Sequence, residues 1–212
     1  MVSKDVHPKD VHPKDVVSKR EQNKRDTNDR LLSASRVLFS AQGFASTTVD
    51  DIAERAEVSR ATFFNYFQGK DAVLEALHSD HLDQLASMVD KLMGSSMSTT
   101  DRIVELFEDF ALQSMKHPRY LRMVTTELER DFAASGARAA HDKRFHVELL
   151  RIVTAGLESG EVRVDYPPLF LAQMIGGVYS TLVRFWRQDA DYDVMAEFDR
   201  GARFVAESIA AR

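Results

Sequence analysis

Four residues between Arg60 and Asn65 have the side-chain types that recognition of DNA bases requires. Arg60 offers a guanidinium that can pair with guanine through two hydrogen bonds, and Thr62 and Asn65 can hydrogen-bond to base edges. Ala61 is small enough to allow close approach to a groove. Thr62 and Asn65, each taken alone, are more often ordinary solvated positions. Together, on one face, the four residues favour a helix that enters the major groove.

Two short helices separated by a tight turn are predicted to position these side chains. Thr48 can cap the first helix, because Asp51 follows at the spacing of a capping box in its acidic variant. Ser59 can cap the second helix, which we expect to continue to Gln68-Gly69. Within it, Phe63 and Phe67 lie one turn apart and are expected to point into a small core. The polar face of this helix is then left exposed to solvent.

Net charge does not by itself suggest a nucleic-acid partner, because the formal charge of the chain is −5. Between Lys19 and Arg36, however, six basic residues stand against three acidic ones, and six minus three leaves a local excess of +3. Clusters of this size are common on solvated helix faces. Only the neighbouring pair of helices favours a DNA-facing surface.

The N-terminus carries a short repeat of Lys-Asp-Val-His-Pro at residues 4–8 and 9–13. Its prolines and alternating charges cannot bury enough apolar surface to offset the entropy of ordering, so we expect residues 1–23 to form a disordered basic arm. His7 and His12 could bind a metal, but two imidazoles on a mobile tail make a poor site. An arm that contacts DNA is the favoured interpretation.

The pattern resembles the DNA-binding domain of the TetR family of bacterial transcriptional regulators. The resemblance covers about residues 28–77 and rests on several short motifs. These motifs are Gly43-Phe44, Thr47-Thr48-Val49, Ile52-Ala53, Val58-Ser59, the run from Thr62 to Phe67, and Lys70. The resemblance implies phosphate contacts from Thr48, Tyr66 and Lys70, and base or groove contacts from the polar face described above. The complete set expected at the DNA is Thr48, Ser59, Arg60, Ala61, Thr62, Asn65, Tyr66 and Lys70.

Two residues depart from the pattern of that family. Glu57 occupies a turn position usually held by glycine, and a left-handed conformation there would cost on the order of 1 kcal/mol. Phe64 stands where tyrosine is frequent, so it can supply apolar contact but no hydroxyl.

Helical periodicity continues through the rest of the chain, and no alternating strand pattern is convincing. We therefore predict an all-α fold with a helix-turn-helix domain at residues 24–77 and a larger helical domain for effector binding and dimerisation at residues 78–212. A long helix with an apolar stripe from Leu74 to Leu92 should join the two, and the small polar segment from Gly94 to Thr100 should follow it. Further helices are predicted at residues 103–115, 120–132, 137–157, 168–186 and 194–211.

The segment after Pro168 is apolar on nearly all sides, which predicts cover by its own domain and by a second subunit. Gly176 and Gly177 would allow another helix to approach closely. The resemblance implies a homodimer through the last two long helices, although a buried core would explain the same residues.

An effector pocket in the larger domain would be lined by apolar and flexible side chains with a few polar anchors. Each candidate could equally fill an ordinary core. The candidates are Phe107, Phe110, Met115, Met123, His146, Met174, Tyr179 and Trp186.

Catalytic chemistry and bound cofactors are not indicated. The chain has no cysteine, no phosphate-cradling glycine motif and no recognisable catalytic triad, and Glu127 and Glu129 would lie on different faces of a helix. His78 and His81 are three residues apart, but no third metal ligand is identifiable. No apolar segment suits a membrane span or a secretory signal, so we expect a cytoplasmic protein.

The sequence therefore predicts a ligand-responsive regulator that is not an enzyme. As a homodimeric repressor it would bind a palindromic operator through the major groove and be released by a small apolar or amphipathic effector. The alternative is a helical interaction protein, or a regulator that requires a corepressor and has no derepressing ligand.

Overall fold

The computed structural model describes residues 19–135 and 138–211, and within residues 127–143 it describes no side chain. Nine α-helices form the fold of these residues. They are α1 (Lys19–Gln42), α2 (Val49–Arg55), α3 (Arg60–Phe64), α4 (Lys70–Met93), α5 (Thr99–Lys116), α6 (Pro118–Ser135), α7 (Arg138–Glu158), α8 (Pro168–Gln188) and α9 (Val194–Ile209). The described part has one isolated β-bridge, between Val162 and Ala210, and otherwise no extended pairing. The all-α prediction is confirmed.

Buried side chains form two separate hydrophobic clusters. The first, here called the head cluster, joins α1, α2, α3 and the first turns of α4, with Phe39 and Phe63 among its fully buried residues. The second, here called the body cluster, joins the later turns of α4 to α5–α9 around Phe107 and Phe198. We refer to the corresponding parts of the chain as the head and the body. A boundary after residue 77 remains a prediction, since α4 runs through it without a break.

Two helices connect the head to the body. The long helix predicted as a connector is α4, which contributes Leu74 to the head cluster and Val89 to the body cluster. The second connector, α6, was not anticipated. Its Leu121 is buried in the body cluster and its Val124 in the head cluster.

Two expectations about helix boundaries are wrong. α1 begins at Lys19, so residues 19–23 of the expected disordered arm are helical, and residues 1–18 of that arm lie outside the described residues. α3 has five residues and ends at Phe64, well before Gln68. It ends early because the chain tightens there: the Tyr66 N–H donates to the Phe63 carbonyl, three residues back, at 2.9 Å. Phe67 nevertheless turns into the head cluster.

The two adjacent glycines of α8 serve different purposes. A Cβ at Gly176 would lie 2.9 Å from Nε2 of His146, so this glycine lets α7 pack closely within the same chain. A Cβ at Gly177 would meet no atom within 4 Å. Gly177 therefore lies on an open face of α8. Within the described residues, no helix is both long and apolar enough to cross a membrane.

Candidate DNA and effector sites

The polar face predicted on α3 is exposed. Arg60, Ala61 and Asn65 are exposed and Thr62 is half-buried, while Phe63 beneath them is fully buried in the head cluster. The buried ring therefore anchors the short helix and leaves the opposite face to solvent. The structure brings Arg60 through Asn65 together as one ridge, here called the recognition ridge.

The guanidinium of Arg60 is held by a partner that the sequence did not reveal. Nη1 of Arg60 donates to both carboxylate oxygens of Asp50, at 2.6 and 2.5 Å, and both side chains are exposed. The guanidinium carbon also lies 5.4 Å from the centre of the Phe64 ring, which is 46% exposed. Phe64 thus acts as an apolar contact, as expected. A base or phosphate that binds Nη1 of Arg60 must displace Asp50, whereas the Nε and Nη2 donors are not engaged by that carboxylate.

Ser59 and Thr62 orient each other at the start of α3. Oγ of Ser59 accepts the Thr62 N–H at 3.0 Å, which makes Ser59 the predicted cap. The two hydroxyl oxygens are also 2.8 Å apart, so one donates to the other. Ser59 is therefore engaged in positioning Thr62 in the DNA-free chain.

Thr48 caps α2 through the predicted capping box. Oγ1 of Thr48 accepts the Asp51 N–H at 3.1 Å, and the Asp51 carboxylate accepts the Thr48 N–H at 2.8 Å. The backbone hydrogen bond from Thr48, followed by that from its side chain, lowers the pKa of Asp51 below its usual value. Thr48 is exposed, so a phosphate oxygen could compete with the Asp51 carboxylate for its single hydroxyl hydrogen.

Lys70 has a different environment from the one expected. Its ammonium group donates to the backbone carbonyls of Phe44, Ala45 and Thr47 at 2.7, 3.1 and 3.0 Å. It also lies 4.7 Å from the centre of the Phe44 ring. Because an ammonium has three N–H donors, this arrangement leaves none for a phosphate. The geometry supports Lys70 as the residue that fixes the loop before α2, in place of the direct phosphate contact that the sequence suggested.

The turn between α2 and α3 explains the unusual residue at position 57. The Val58 N–H donates to the Ala53 carbonyl and the Glu57 N–H to the Glu54 carbonyl, both at 3.0 Å. This pair of bonds is a Schellman motif, which requires a left-handed residue after the helix cap. Glu57 accordingly has φ of 55°, as expected for a residue that replaces glycine there.

Tyr66, the remaining residue expected at the DNA, is half-buried and packs against the head cluster.

Four of the eight pocket candidates meet in the body cluster. Phe110 lies at the centre, with its ring centroid 5.6 Å from that of Tyr179, 5.5 Å from that of Trp186 and 5.0 Å from that of Phe198. Phe107 contacts Tyr179 with centroids 5.2 Å apart. Burial raises the pKa of the Tyr179 hydroxyl. Phe107, Phe110 and Trp186 are buried, as the alternative interpretation of an ordinary core expected, whereas Tyr179 is half-buried. That these rings border an effector pocket remains a prediction.

The other four candidates are dispersed. Met115 is 60% exposed and Met174 is 46% exposed, so neither side chain lies inside the body cluster. Met123 packs against the head cluster, and His146 lies against Gly176. Within the described residues, no group of three or more possible metal ligands is found.

Comparison with known proteins identifies relatives of this chain. Residues 31–77 match the model of the family described as bacterial regulatory proteins, tetR family. The HTH-type transcriptional regulator TcmR of Streptomyces glaucescens is 26% identical over 178 residues, which cover 79% of this chain and 76% of TcmR. The regulator YvkB of Bacillus subtilis (strain 168) is 40% identical over 65 residues, but these cover 31% of this chain and 34% of YvkB.

The solved structures agree in fold. The transcriptional regulator FadR from Bacillus subtilis, solved in complex with stearoyl-CoA, superposes with a TM-score of 0.72 at 20% identity. The superposition covers 85% of this chain and 98% of that one. A helix-turn-helix head followed by a helical body is therefore the shared architecture.

Proposed function

We propose that this chain, which belongs to the TetR family of bacterial regulatory proteins, represses transcription as a homodimer that binds a palindromic operator and is released by a small effector. Its relatives are transcriptional regulators, and the chain is accordingly a DNA-binding regulator and not an enzyme. A regulator of chromosomal genes would act in the cytoplasm.

The recognition ridge is the observation that carries the proposal. It combines a guanidinium, a small residue and an exposed amide on a helix whose opposite face is anchored by Phe63. In the major groove Arg60 would bind guanine and Asn65 would hydrogen-bond to a base edge. The small side chain of Ala61 would let the helix approach the groove closely. Thr48 would position the head by donating its hydroxyl to a phosphate, and Ser59, Thr62 and Tyr66 would support this surface.

A dimer would present two recognition ridges to the operator. α8 carries an exposed apolar stripe that includes Phe170, Met174 and Phe185, with the open Gly177 between them. Phe204 of the adjacent α9 is 63% exposed. Exposed apolar side chains grouped on two packed helices are typical of an interaction surface, and a two-fold copy would cover them. The ridges would then lie about one turn of B-DNA apart, roughly 34 Å, or a multiple of it.

The effector would act through the two connecting helices. α4 and α6 each place side chains in both clusters, so a displacement of either helix by a molecule bound in the body would move the head. A coupling of about 1 to 3 kcal/mol between effector and operator is typical of such systems. An apolar or amphipathic effector is supported by the aromatic body cluster and by stearoyl-CoA, an amphipathic ligand, in the FadR relative.

Fluorescence anisotropy with DNA from upstream of the gene tests the proposal. The full chain should bind that duplex as a dimer and in preference to a shuffled duplex of equal length and composition. An amphipathic ligand found by thermal shift should then lower the operator affinity. Equal affinity for the two duplexes would contradict the assignment of an operator-reading surface, and an absence of coupling for every thermal-shift ligand would contradict release by an effector.

A further inference from the structure

A cleft of about 600 Å³ opens where the head meets the body. α1 contributes Val37 from the head, the start of α6 contributes Arg119 and Tyr120 from the body, and α4 contributes Asp80 and His81 between them. Its volume lies in the range of small-molecule sites. None of the eight residues expected to line the effector pocket lines this cleft, so it is distinct from that predicted pocket.

The charged side chains of the cleft leave one positive charge unmatched. Arg36 and Asp80 form an ion pair and neutralise each other. Arg119 is exposed and has no hydrogen-bond or ion-pair partner within the described part of the chain. Its guanidinium is therefore free to bind an anionic group through two parallel hydrogen bonds.

His81 supplies a polar group deeper in the same cleft. It is half-buried. Like Arg119, it has no hydrogen-bond partner in the part of the chain that the structure describes. Burial lowers the pKa of His81, against the opposing effects of Asp109 and Asp80, so its imidazole is neutral at pH 7. A neutral imidazole can donate one hydrogen bond and accept another.

Apolar surface completes the site. Val37 is 42% exposed, and the half-buried ring of Tyr120 faces the cleft from α6. A ligand that covers both would contact the head and the body at once. Its apolar part would gain by leaving water, while its charged end would reach Arg119.

We propose that this cleft is a second ligand site, which binds a small aromatic or aliphatic carboxylate between α1 and α6. A singly charged anion fits because one cation is unmatched, whereas a doubly charged phosphate monoester would leave a charge without a partner. The carboxylate binds Arg119, the apolar part lies between Val37 and Tyr120, and His81 hydrogen-bonds to a polar substituent or to a bridging water. The site goes beyond the proposed effector pocket and does not depend on DNA binding.

Titration of the full chain with benzoate, followed by NMR of the histidine imidazoles, tests this directly. The chain has seven histidines, of which His81 and His117 line the cleft and His146 lies in the body away from it. Benzoate should shift the His81 and His117 signals in a saturable way and leave the His146 signal unchanged. The neutral isostere benzamide should bind about tenfold more weakly, as expected for loss of one charge-assisted pair.

Two charge-removing variants locate the anion. Arg119→Gln should weaken benzoate binding about tenfold. Lys116→Gln removes an exposed cation three residues away that does not line the cleft, and it should leave binding unchanged within about twofold. Absence of saturable shifts, equal binding of benzamide, or equal effects of the two variants would overturn the proposal. Because no DNA is present, each of these results leaves the proposed operator binding untouched.

Discussion

Leu121 and Val124 lie three residues apart on α6, yet they are buried in different hydrophobic cores. Leu121 belongs to the body cluster and Val124 to the head cluster. Packed cores shift between discrete arrangements and do not deform continuously, so a rotation of α6 must disturb both clusters together. The head is therefore attached to the body by side-chain packing as well as by the continuous α4.

Replacement of Glu57 by glycine should stabilise the protein. Glu57 has φ of 55°, a conformation that glycine adopts without steric cost. We expect Glu57→Gly to raise the free energy of unfolding by up to about 1 kcal/mol, measured by urea denaturation. The matched control is Glu54→Gly in the exposed, helical part of α2, which should lower it by about 0.5 to 1 kcal/mol. If both changes lowered the free energy of unfolding, the conclusion that the left-handed conformation strains Glu57 would be contradicted.

Loss of the Lys70 ammonium should act on DNA binding through the loop that it holds. Lys70→Met leaves three carbonyls without their donor and should destabilise the chain by about 2 kcal/mol. Operator affinity should fall evenly across sequences. The slope of log affinity against log salt should not change, because no phosphate contact is lost.

The salt dependence separates the two roles of Lys70. A direct phosphate contact would reduce the magnitude of that slope by about 0.9 on substitution. Lys91→Met, at the exposed far end of the same helix α4, serves as the control and should change neither stability nor slope. A reduced slope for Lys70→Met alone would restore the phosphate contact expected from the sequence.

Removal of the Asp50 carboxylate should strengthen DNA binding. In the DNA-free chain the Asp50 carboxylate accepts hydrogen bonds from Nη1 of Arg60. Without that carboxylate, no ion pair has to be broken when DNA binds this nitrogen. Exposed ion pairs contribute up to about 1 kcal/mol, which predicts an affinity gain of up to about fivefold for Asp50→Asn. Glu54→Gln removes an equal charge from α2 without touching Arg60 and should have a smaller effect. Equal gains in anisotropy titrations would show that net charge alone is responsible.

A charge on the open face of α8 or α9 should separate the dimer. Met174→Glu or Phe204→Glu would bury a carboxylate in the two-fold interface, and we expect the dimer dissociation constant to rise about a hundredfold. Leu112→Glu, at a position on α5 that is 40% exposed, is the matched control. Sedimentation velocity distinguishes the cases. A dimer that survives both changes uses another surface.

Local signals in the sequence were sufficient to predict the N-terminal caps of α2 and α3, although not the start of α1 or the end of α3. Thr48 and Ser59 act over three residues, and the capping box needs no distant partner. Contacts between residues far apart in the chain were not predictable. Asp50 meets Arg60, ten positions away, and Lys70 reaches carbonyls more than twenty positions away. Such pairs depend on how the helices pack, which hydrophobic periodicity does not specify.

The same limit explains the pocket candidates. Met and aromatic residues at helical spacing mark an inward face, but they do not distinguish a filled core from a cavity. Phe107, Phe110, Tyr179 and Trp186 do converge, whereas Met115 and Met174 are exposed. The exposure of Met174 follows from the open stripe of α8, which in the sequence is indistinguishable from a buried one.

The preference of the full chain for its operator over a shuffled duplex, compared between wild type and Arg60→Ala, tests the central claim most directly. Arg200→Ala, which removes a similarly exposed arginine from the body, is the control. If the recognition ridge reads bases, Arg60→Ala should reduce the preference by about 1 to 3 kcal/mol while Arg200→Ala leaves it intact. An unchanged preference in Arg60→Ala would contradict the account.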